Sequence, residues 1–321
     1  MTQKRLRVVF MGTPEFALPS FEAVAAAEEV IAVVTQPDRP QGRGLSLQPS
    51  PIKRAALKRS VPIHQPERIR KEPAFIETLA RMAPELIVVV AFGQILPEAV
   101  LKIPALGCIN LHASLLPKYR GAAPIQWAII RGEKETGVTT MQMDAGMDTG
   151  PMLLRASLAI GPSETSADLA PRLARLGADL LTQTLSQLKE GGLTPIPQDP
   201  PEATLAPLLK KEDGGIRWGE SASSIYNRWR GTIPWPGSAT HYEGARWKVP
   251  SLRIGSEEGK RGAPGEVLEI SEKGLEVAAG MGYIIVERLQ PEGGRVMTPK
   301  EYAAGRPIRK GSVLHLKEAS P

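Results

Sequence analysis

The sequence feature that most constrains the fold is an uninterrupted apolar run over residues 86–92, in which valine and isoleucine predominate. Most of this run, Leu86–Ala91, is rich in β-branched residues and is typical of a central strand that is covered on both faces. The run is far shorter than the ~20 residues that a membrane-spanning helix needs. It therefore predicts a buried strand of a parallel sheet rather than a membrane segment.

The N-terminal residues predict how this sheet begins. Residues 6–11 form a short apolar strand pattern that ends at Gly12-Thr13-Pro14. A helical spacing of apolar residues follows, and residues 30–35 predict a second strand. A strand, a glycine turn, a helix and a strand are the opening of a parallel βαβ unit. The predicted fold class is therefore α/β.

The length and the proline distribution predict two domains. A chain of 321 residues is too long for one ordinary hydrophobic core. Residues 194–207 contain five prolines, which predicts a semi-rigid linker. Beyond it, alternating segments at 265–270, 275–279 and 283–289 are separated by glycine turns and predict a small antiparallel barrel or sandwich. We place a first domain at 1–189, the linker at 190–207 and a second domain at 208–321.

Several function classes lose support because the sequence lacks their characteristic residues. Cys108 is the one cysteine, so internal disulfides and Cys-rich zinc sites are excluded, and the four histidines are widely scattered. The sequence has no glycine-rich dinucleotide fingerprint, lysine-bearing phosphate loop or Gly-x-Ser-x-Gly motif. Its N-terminus has too short an apolar stretch for a signal peptide. We therefore expect a cytoplasmic protein that is not a dehydrogenase, an NTPase, a serine hydrolase or a zinc enzyme.

Positive charge is concentrated between residues 39 and 71. The chain carries 40 Lys and Arg against 34 Asp and Glu, and this stretch holds nine basic residues against the single acid Glu67. A local field of this kind suits phosphate groups or nucleic acid. A solvated helix face explains the same charges, so the sequence leaves both interpretations open.

The candidate chemistry lies in two polar segments of the first domain. Asn110 and His112 are two residues apart on a predicted strand, so their side chains leave the same face. An amide donor beside an imidazole suits acyl transfer, because one stabilises an oxyanion and the other moves a proton. Asp148, in a glycine-rich turn, can orient the imidazole. Ordinary polar residues at a strand end and in a turn explain the same pattern, and the residues alone do not decide.

A family resemblance favours the catalytic interpretation. The run 110–124, Asn-Leu-His-Ala-Ser-Leu-Leu-Pro-Lys-Tyr-Arg-Gly-Ala-Ala-Pro, closely resembles the signature of the folate-dependent formyltransferases. The resemblance extends through segments 10–16, 35–40, 90–97 and 137–144 and is dense across the first domain. It is looser in the second domain, where it rests on residues 216–218 and 227–237.

The resemblance implies both a fold and an activity. It implies a Rossmann-like, mostly parallel N-terminal domain and a smaller OB-like β-barrel at the C-terminus that binds tRNA. The implied reaction transfers the formyl group of 10-formyltetrahydrofolate to the α-amine of methionine esterified to initiator tRNA, for translation initiation. The implied catalytic residues are Asn110, His112 and Asp148. No metal and no membrane are involved, and we expect a monomer.

The resemblance also implies which residues bind folate and tRNA. The implied folate pocket is lined by Phe92, Gly93, Ile95, Leu96, Ser114, Leu115, Leu116, Pro117 and Asp144. The tRNA-contacting loop corresponds to residues 36–51, with Arg43 entering the acceptor stem. The implied tRNA contacts are Arg39, Arg43, Lys53, Lys210 and Lys211.

Two other functions agree with part of the sequence. One is a formyltransferase that uses the same folate donor on a small-molecule amine, but the long arginine-bearing loop and the second domain argue against it. The other is a non-catalytic RNA-binding protein on a Rossmann-like scaffold. It explains the basic charge but leaves Asn110, His112 and Asp148 without a role.

Overall fold

The structure is a computed structural model that describes residues 4–41 and 46–316. The chain divides into two compact units, and the division is not a single cut. The first unit comprises residues 1–124, 135–159 and 170–207, and the second comprises 125–134, 160–169 and 208–321. Residues 190–207, for which we predict a linker, are thus part of the first unit.

The first unit is built on a seven-stranded sheet. The strands of this unit, seven in the sheet and two in a separate ribbon, are β1 (Arg7–Gly12), β2 (Glu29–Val34), β3 (Arg39–Gln41), β4 (Ser46–Gln48), β5 (Ile63–His64), β6 (Leu86–Val90), β7 (Cys108–His112), β8 (Glu135–Gln142) and β9 (Met152–Ala159). The sheet order is β5-β2-β1-β6-β7-β8-β9, and β3 pairs with β4 in a separate ribbon. Pairing is parallel from β5 to β7 and antiparallel from β7 to β9. The predicted mostly parallel sheet is confirmed.

The central position of β6 agrees with its apolar sequence. All five of its residues are buried, because it lies between β1 and β7 and is covered on both faces. The main cluster around it consists of Val9, Met11, Ala32, Val34, Ile69, Leu79, Ile87, Val89, Phe92, Leu96, Val100 and Cys108. Val89 lies opposite Asn110, so the carboxyl ends of β6 and β7 are neighbours.

Local signals explain where the clearest helices up to residue 190 begin. In chain order these helices are α1 (Leu18–Ala27), α2 (Pro51–Lys58), α3 (Pro73–Arg81), α4 (Glu98–Leu101), α5 (Pro124–Ile130) and α6 (Ser166–Glu190), of which nearly all of α5 and the first turn of α6 belong to the second unit. Helix α2 begins where the Ser50 side chain accepts a hydrogen bond from the Lys53 amide and Pro51 takes the first position. Helix α6 buries Leu169 and Leu173 one turn apart, as its leucine spacing predicts.

The second unit contains an antiparallel five-stranded sheet. Besides α5 and the first turn of α6, its elements are α7 (Ala222–Gly231), β10 (Ala239–Tyr242), β11 (Ala245–Ser256), β12 (Val267–Ser271), β13 (Gly274–Ala278), β14 (Tyr283–Pro291) and α8 (Pro299–Gly305). The strand order is β10-β11-β14-β13-β12. Near the C-terminus, Val313 bridges to Glu266 beside β12 and His315 bridges to His241 in β10. One segment thus joins both sheet edges, which agrees with the barrel-like second domain predicted from the glycine-separated strands.

Only part of this second unit is predicted by the sequence patterns. Strands β12, β13 and β14 lie where the alternating segments predict them, but no pattern predicted β10, β11, α7 or α8. In β11, the residue Pro250 and the shifts in register near Ser251 interrupt the alternation that marks a strand. Among the described residues, no helix is both long and apolar enough to cross a membrane.

The single thiol of the chain is a core residue of this fold. Cys108 is 1% exposed and packs in the cluster around β6, and burial raises its pKa to about 12. We therefore expect a chromogenic disulfide reagent at pH 8 to leave the native protein unmodified and to titrate one thiol after unfolding in urea. The native protein keeps the thiol proton of Cys108 to a higher pH than the unfolded chain does. The contribution of this thiol to the free energy of unfolding is therefore complete below the ordinary thiol pKa and is lost as the pH rises towards 12.

The control for this measurement is Cys108→Ala, which removes the signal from the unfolded protein. Labelling of the native protein at the rate of a free peptide thiol would contradict the burial of Cys108.

Candidate active site

The structure brings the three predicted polar residues of the first unit together. Asn110 and His112 lie on β7 and are 9% and 6% exposed, and Asp148 lies in the turn that joins β8 to β9. Nδ2 of Asn110 is 3.4 Å from Oδ1 of Asp148, and Nδ1 of His112 is 3.7 Å from Oδ2. An amide, an imidazole and a carboxylate from distant parts of the sequence therefore share one small site.

A backbone contact determines which nitrogen of His112 carries its proton. Nε2 lies 2.9 Å from the carbonyl oxygen of Tyr119. Because a carbonyl oxygen only accepts hydrogen bonds, Nε2 must be the protonated nitrogen. In the neutral ring, Nδ1 then holds a lone pair on the side that faces Asp148. His112 is thus oriented to accept a proton at Nδ1, where the carboxylate would stabilise the resulting imidazolium.

The carboxylate of Asp148 is held by the backbone. The amide N–H of Gly121 donates to Oδ2 over 2.8 Å. Asp148 itself has φ +54°, in the left-handed region that non-glycine residues rarely adopt. The same turn needs glycine at position 150, since a β-carbon there would collide with the carbonyl oxygen of Gln142. The orientation of the carboxylate therefore depends on an unusual backbone turn.

The loop after β7 presents the backbone groups that hold His112 and Asp148. Within it, the Ser114 hydroxyl donates to the carbonyl of Lys118 over 2.6 Å. Thr139 of β8 donates to the Ser114 carbonyl over 2.7 Å and accepts from the Leu116 amide over 3.1 Å. Tyr119 follows with φ +62°. These bonds tie the loop to β8, so the Tyr119 carbonyl and the Gly121 amide have fixed positions.

The residues predicted to line a folate pocket differ widely in exposure. Phe92, Leu96, Ser114, Leu116 and Pro117 are buried, and Leu115 is partly buried. By contrast, Gly93, Ile95 and Asp144 are exposed, with Ile95 at 67%.

Hydrogen bonds hold the two exposed parts of this predicted pocket. The carbonyl of Phe92 accepts from the Thr13 hydroxyl over 3.0 Å and from the side-chain amide of Gln36 over 3.3 Å. Asp144 closes its own turn, because its Oδ1 accepts from the Gly146 amide and the Thr149 hydroxyl over 3.0 and 2.7 Å. Oδ1 of Asp144 is thus already engaged within the turn, and the backbone of that turn adds further polar groups.

The predicted tRNA contacts lie in very different environments. Arg39 lies in β3, where it donates to the side chain of Gln36 over 3.4 Å, and Arg43 lies outside the described residues. Lys53 is partly buried and donates hydrogen bonds to Asp38 over 2.6 Å and to Gln65 over 2.7 Å.

The charge of Lys53 is therefore satisfied within the protein. Its hydrogen bond is the main cause that holds the pKa of Asp38 below its ordinary value. By contrast, Lys210 and Lys211 are exposed residues of the second unit. Of the described residues predicted to contact tRNA, Arg39, Lys210 and Lys211 are exposed, whereas Lys53 is partly buried.

Sequence reasoning missed three groups that hold the candidate site. The Tyr119 carbonyl and the Gly121 amide lie inside the formyltransferase signature, but a backbone contact leaves no trace in residue identity. Gln198 is buried and its amide nitrogen donates to the carbonyls of Asp148 and Gly150 over 2.8 and 2.7 Å. It lies in the proline-rich segment that predicted a linker, so no sequence signal pointed to it.

The described residues contain no group of three or more His, Cys, Asp or Glu side chains arranged to hold a metal ion. The functional groups that the candidate site does present are the side chains of Asn110, His112 and Asp148 and the backbone groups that hold them.

Comparison with known proteins identifies the family. A family model described as Formyl transferase matches residues 5–185, and one described as Formyl transferase, C-terminal domain matches residues 208–307. A methionyl-tRNA formyltransferase of Pelobacter propionicus is 51% identical over 308 residues, which are 96% of this chain and 95% of the relative. A methionyl-tRNA formyltransferase of Trichlorobacter lovleyi is 49% identical over 309 residues, 96% of each chain.

Solved structures share the fold at low sequence identity. An N-formyltransferase from Helicobacter canadensis in complex with folinic acid and dTDP-3-aminofucose aligns with a TM-score of 0.65 and 16% identity, over 88% of this chain and 98% of its own. HypX from Aquifex aeolicus in complex with tetrahydrofolic acid aligns with a TM-score of 0.62 and 16% identity, over 98% of this chain and 51% of its own. With the family model covering more than half of its length and close relatives covering nearly all of it, the chain belongs to the formyl transferase family.

Proposed function

We propose that this protein transfers the formyl group of 10-formyltetrahydrofolate to the α-amine of methionyl-initiator tRNA. The observation that carries the proposal is the convergence of Asn110, His112 and Asp148 at one site. The full-length similarity to relatives named methionyl-tRNA formyltransferase supports the choice of acceptor. The proposal places the protein in the cytoplasm, where initiator tRNA is charged and used, and we expect it to act as a monomer.

The reaction requires two functional groups from the protein. When an amine attacks a formyl carbon, negative charge develops on the carbonyl oxygen and positive charge on the attacking nitrogen. A hydrogen-bond donor must meet the oxygen, and a base must take a proton from the nitrogen. The folate supplies the formyl carbon, and methionyl-tRNA supplies the attacking amine. The new bond forms between them as the bond to the folate nitrogen breaks, and tetrahydrofolate leaves with a proton in place of the formyl group. The hydrogen-bond donor and the base are residues of this chain.

Asn110 supplies the donor for the carbonyl oxygen. Its side-chain nitrogen carries two hydrogens, and its contact with Asp148 is long, at 3.4 Å. A long hydrogen bond is weak, so an amide hydrogen remains available for a developing oxyanion. Because Asn110 is nearly buried, that hydrogen bond acts with little competition from water.

His112 supplies the base. Its Nε2 proton is committed to the Tyr119 carbonyl, so Nδ1 is the atom that takes a proton from the attacking amine. The imidazolium that forms then faces the Asp148 carboxylate. Asp148 stays ionised in this scheme and acts by orienting the ring and stabilising its positive charge.

The predicted folate pocket offers the groups that a pterin ring needs. A flat heterocycle requires an apolar wall and backbone donors and acceptors at its edge. The exposed Ile95 beside Gly93 offers the apolar surface, and the backbone of the turn at Asp144 offers polar groups. We assign folate binding to the segments Phe92–Leu96 and Ser114–Pro117 together with that turn, without a metal.

We assign tRNA binding to basic residues of both units. Arg39 belongs to the first unit, and the exposed Lys210 and Lys211 belong to the second. Arg43, which lies outside the described residues, is part of this proposal through the family resemblance. Lys53 forms an ion pair with Asp38, so we propose that it contributes by holding the segment around Asp38 in place. A macromolecular acceptor accounts for this basic surface, whereas a small amine does not require it.

The decisive experiment compares acceptors. The protein is incubated with 10-formyltetrahydrofolate and either methionyl-initiator tRNA or, separately, free methionine amide and an amino-sugar nucleotide. We expect formylated α-amines on the tRNA and negligible product from the small amines. Formylation of the amino sugar without formylation of tRNA would establish the small-molecule alternative, and RNA binding without any transfer would establish a non-catalytic RNA-binding protein.

Replacing the proposed oxyanion donor tests the mechanism. We expect Asn110→Ala to lower kcat by about two to three orders of magnitude, the usual loss for one oxyanion-hole donor. The measurement is single-turnover formylation of methionyl-tRNA. The control is Gln183→Ala, which truncates an exposed amide on α6 and leaves kcat unchanged. Near-normal turnover by Asn110→Ala would refute the assignment.

Removing the exposed lysines of the second unit tests the tRNA contacts. We expect Lys210→Met/Lys211→Met to weaken tRNA binding and to lower the slope of log affinity against log salt by about 1 for each phosphate that is no longer neutralised. The affinity for folate should not change. Lys4→Met is the control, because Lys4 is exposed and pairs with Glu85 before β6. An unchanged salt slope in the double variant would exclude these lysines from the RNA interface.

A further inference from the structure

A segment of the first unit joins the two loops that carry the candidate site. This segment, 196–206, pairs with the start of β9 through two hydrogen bonds of 2.8 Å between Ile196 and Met152. At its other end, the Thr204 carbonyl accepts from the Arg120 amide over 2.8 Å and the Ala206 amide donates to the Arg120 carbonyl over 2.7 Å. It is therefore bonded both to the loop after β7 and to the strand that follows the Asp148 turn.

Gln198 lies near the start of this segment and uses all of its side-chain polar atoms. Its amide nitrogen donates to the carbonyls of Asp148 and Gly150 over 2.8 and 2.7 Å. Its amide oxygen accepts from Nε and Nη2 of Arg120 over 2.9 and 2.8 Å. The side chain is buried, and a buried amide with every group satisfied has one preferred orientation.

These bonds act on the residue whose conformation is most demanding. Asp148 has a left-handed backbone, which non-glycine residues adopt only when the surrounding structure holds them there. Gln198 binds the carbonyl of that residue and the carbonyl two residues later, so it spans the turn. The side chain of Asp148 leaves the same turn towards His112. Without Gln198, the contacts among the described residues leave Gly121 as the main group that directs the carboxylate.

We propose that Gln198 is a positioning residue for formyl transfer, which holds the Asp148 turn so that the carboxylate faces Nδ1 of His112. Arg120 orients the amide of Gln198 for this task. The inference rests on the proposed function for its kinetic readout, but the position of the Asp148 carboxylate can be measured without it. This inference gives the proline-rich segment 196–206 a role in the reaction.

The chemistry of the side chain explains why an amide is needed here. Glutamate would keep an acceptor for Arg120 but would replace the donor with an oxygen that faces two carbonyl oxygens. Methionine has a similar length and shape but neither donates nor accepts strongly. Gln198→Glu and Gln198→Met should therefore both release the turn, although only the first keeps a partner for Arg120.

The kinetic test uses these two variants and a matched control. We expect each variant to lower kcat by roughly tenfold to a hundredfold, the size of effect that a small misplacement of a catalytic group produces. The KM for tRNA should stay within about a factor of two, because none of the residues that we assign to tRNA binding lies in the turn between β8 and β9. Gln183→Met makes the same change on the exposed face of α6 and should have wild-type kinetics.

A double-mutant cycle separates positioning from general destabilisation. If Gln198 acts through the Asp148 carboxylate, Gln198→Met should cost much less in an Asp148→Ala background, where there is no carboxylate to position. If the two losses in kcat multiply, the inference is wrong. Arg120→Lys provides a second route if Gln198→Met folds poorly, since it keeps the glutamine amide and removes the fork that orients it. It should show a smaller loss with the same dependence on Asp148.

A measurement that does not depend on catalytic activity distinguishes this inference from the proposed function. The Gly121 amide donates to Oδ2 of Asp148, so its proton resonance reports where the carboxylate lies. We expect this resonance to move upfield in Gln198→Met and to stay in place in Gln183→Met. An unmoved Gly121 resonance with normal kcat would overturn the positioning role. A wild-type protein that fails to formylate methionyl-tRNA would overturn the proposed function while leaving the resonance test valid.

Discussion

The carboxylate of Asp148 is the group on which the candidate site depends. One oxygen meets the Asn110 amide, and the other accepts from the Gly121 backbone and faces the imidazole of His112. A strand, the loop after it and a distant turn are therefore joined at one ion. This carboxylate is only partly exposed to water and is stabilised by its protein hydrogen bonds, so each of these segments restricts the others.

The change from parallel to antiparallel pairing explains how the turn reaches the site. Strands β6 and β7 are parallel, whereas β8 and β9 run antiparallel at the edge of the sheet. A parallel connection would require a long crossover, but an antiparallel pair is joined by a turn. The β8–β9 turn can therefore lie over the face of β7 that carries Asn110 and His112. The site is formed by side chains from secondary structure and by backbone groups from loops, and the loops are bonded to β8 and to segment 196–206.

The predictions from sequence succeeded where a pattern reflects the burial of one segment. They were incomplete where contacts between distant segments determine the environment of a residue. The apolar run at residues 86–92 marked β6 correctly because a strand covered on both faces must be apolar throughout. Lys53 is a predicted tRNA contact because its charge is visible in the sequence, but its hydrogen bonds to Asp38 and Gln65 are visible only in the fold. Strand β11 was missed because Pro250 and its irregular register remove the alternation that identifies a strand.

By itself, the sequence determined the α/β class and the existence of a second β-rich domain. It also singled out Asn110, His112 and Asp148 as the candidate catalytic residues. These properties depend on residue type and spacing, which the chain carries locally. Only the tertiary structure decided which nitrogen of His112 is protonated, how the Asp148 carboxylate is held, and that Gln198 spans its turn. Those properties depend on backbone carbonyls and amides, which nearly every residue possesses, so that only the path of the folded chain determines which of them meet.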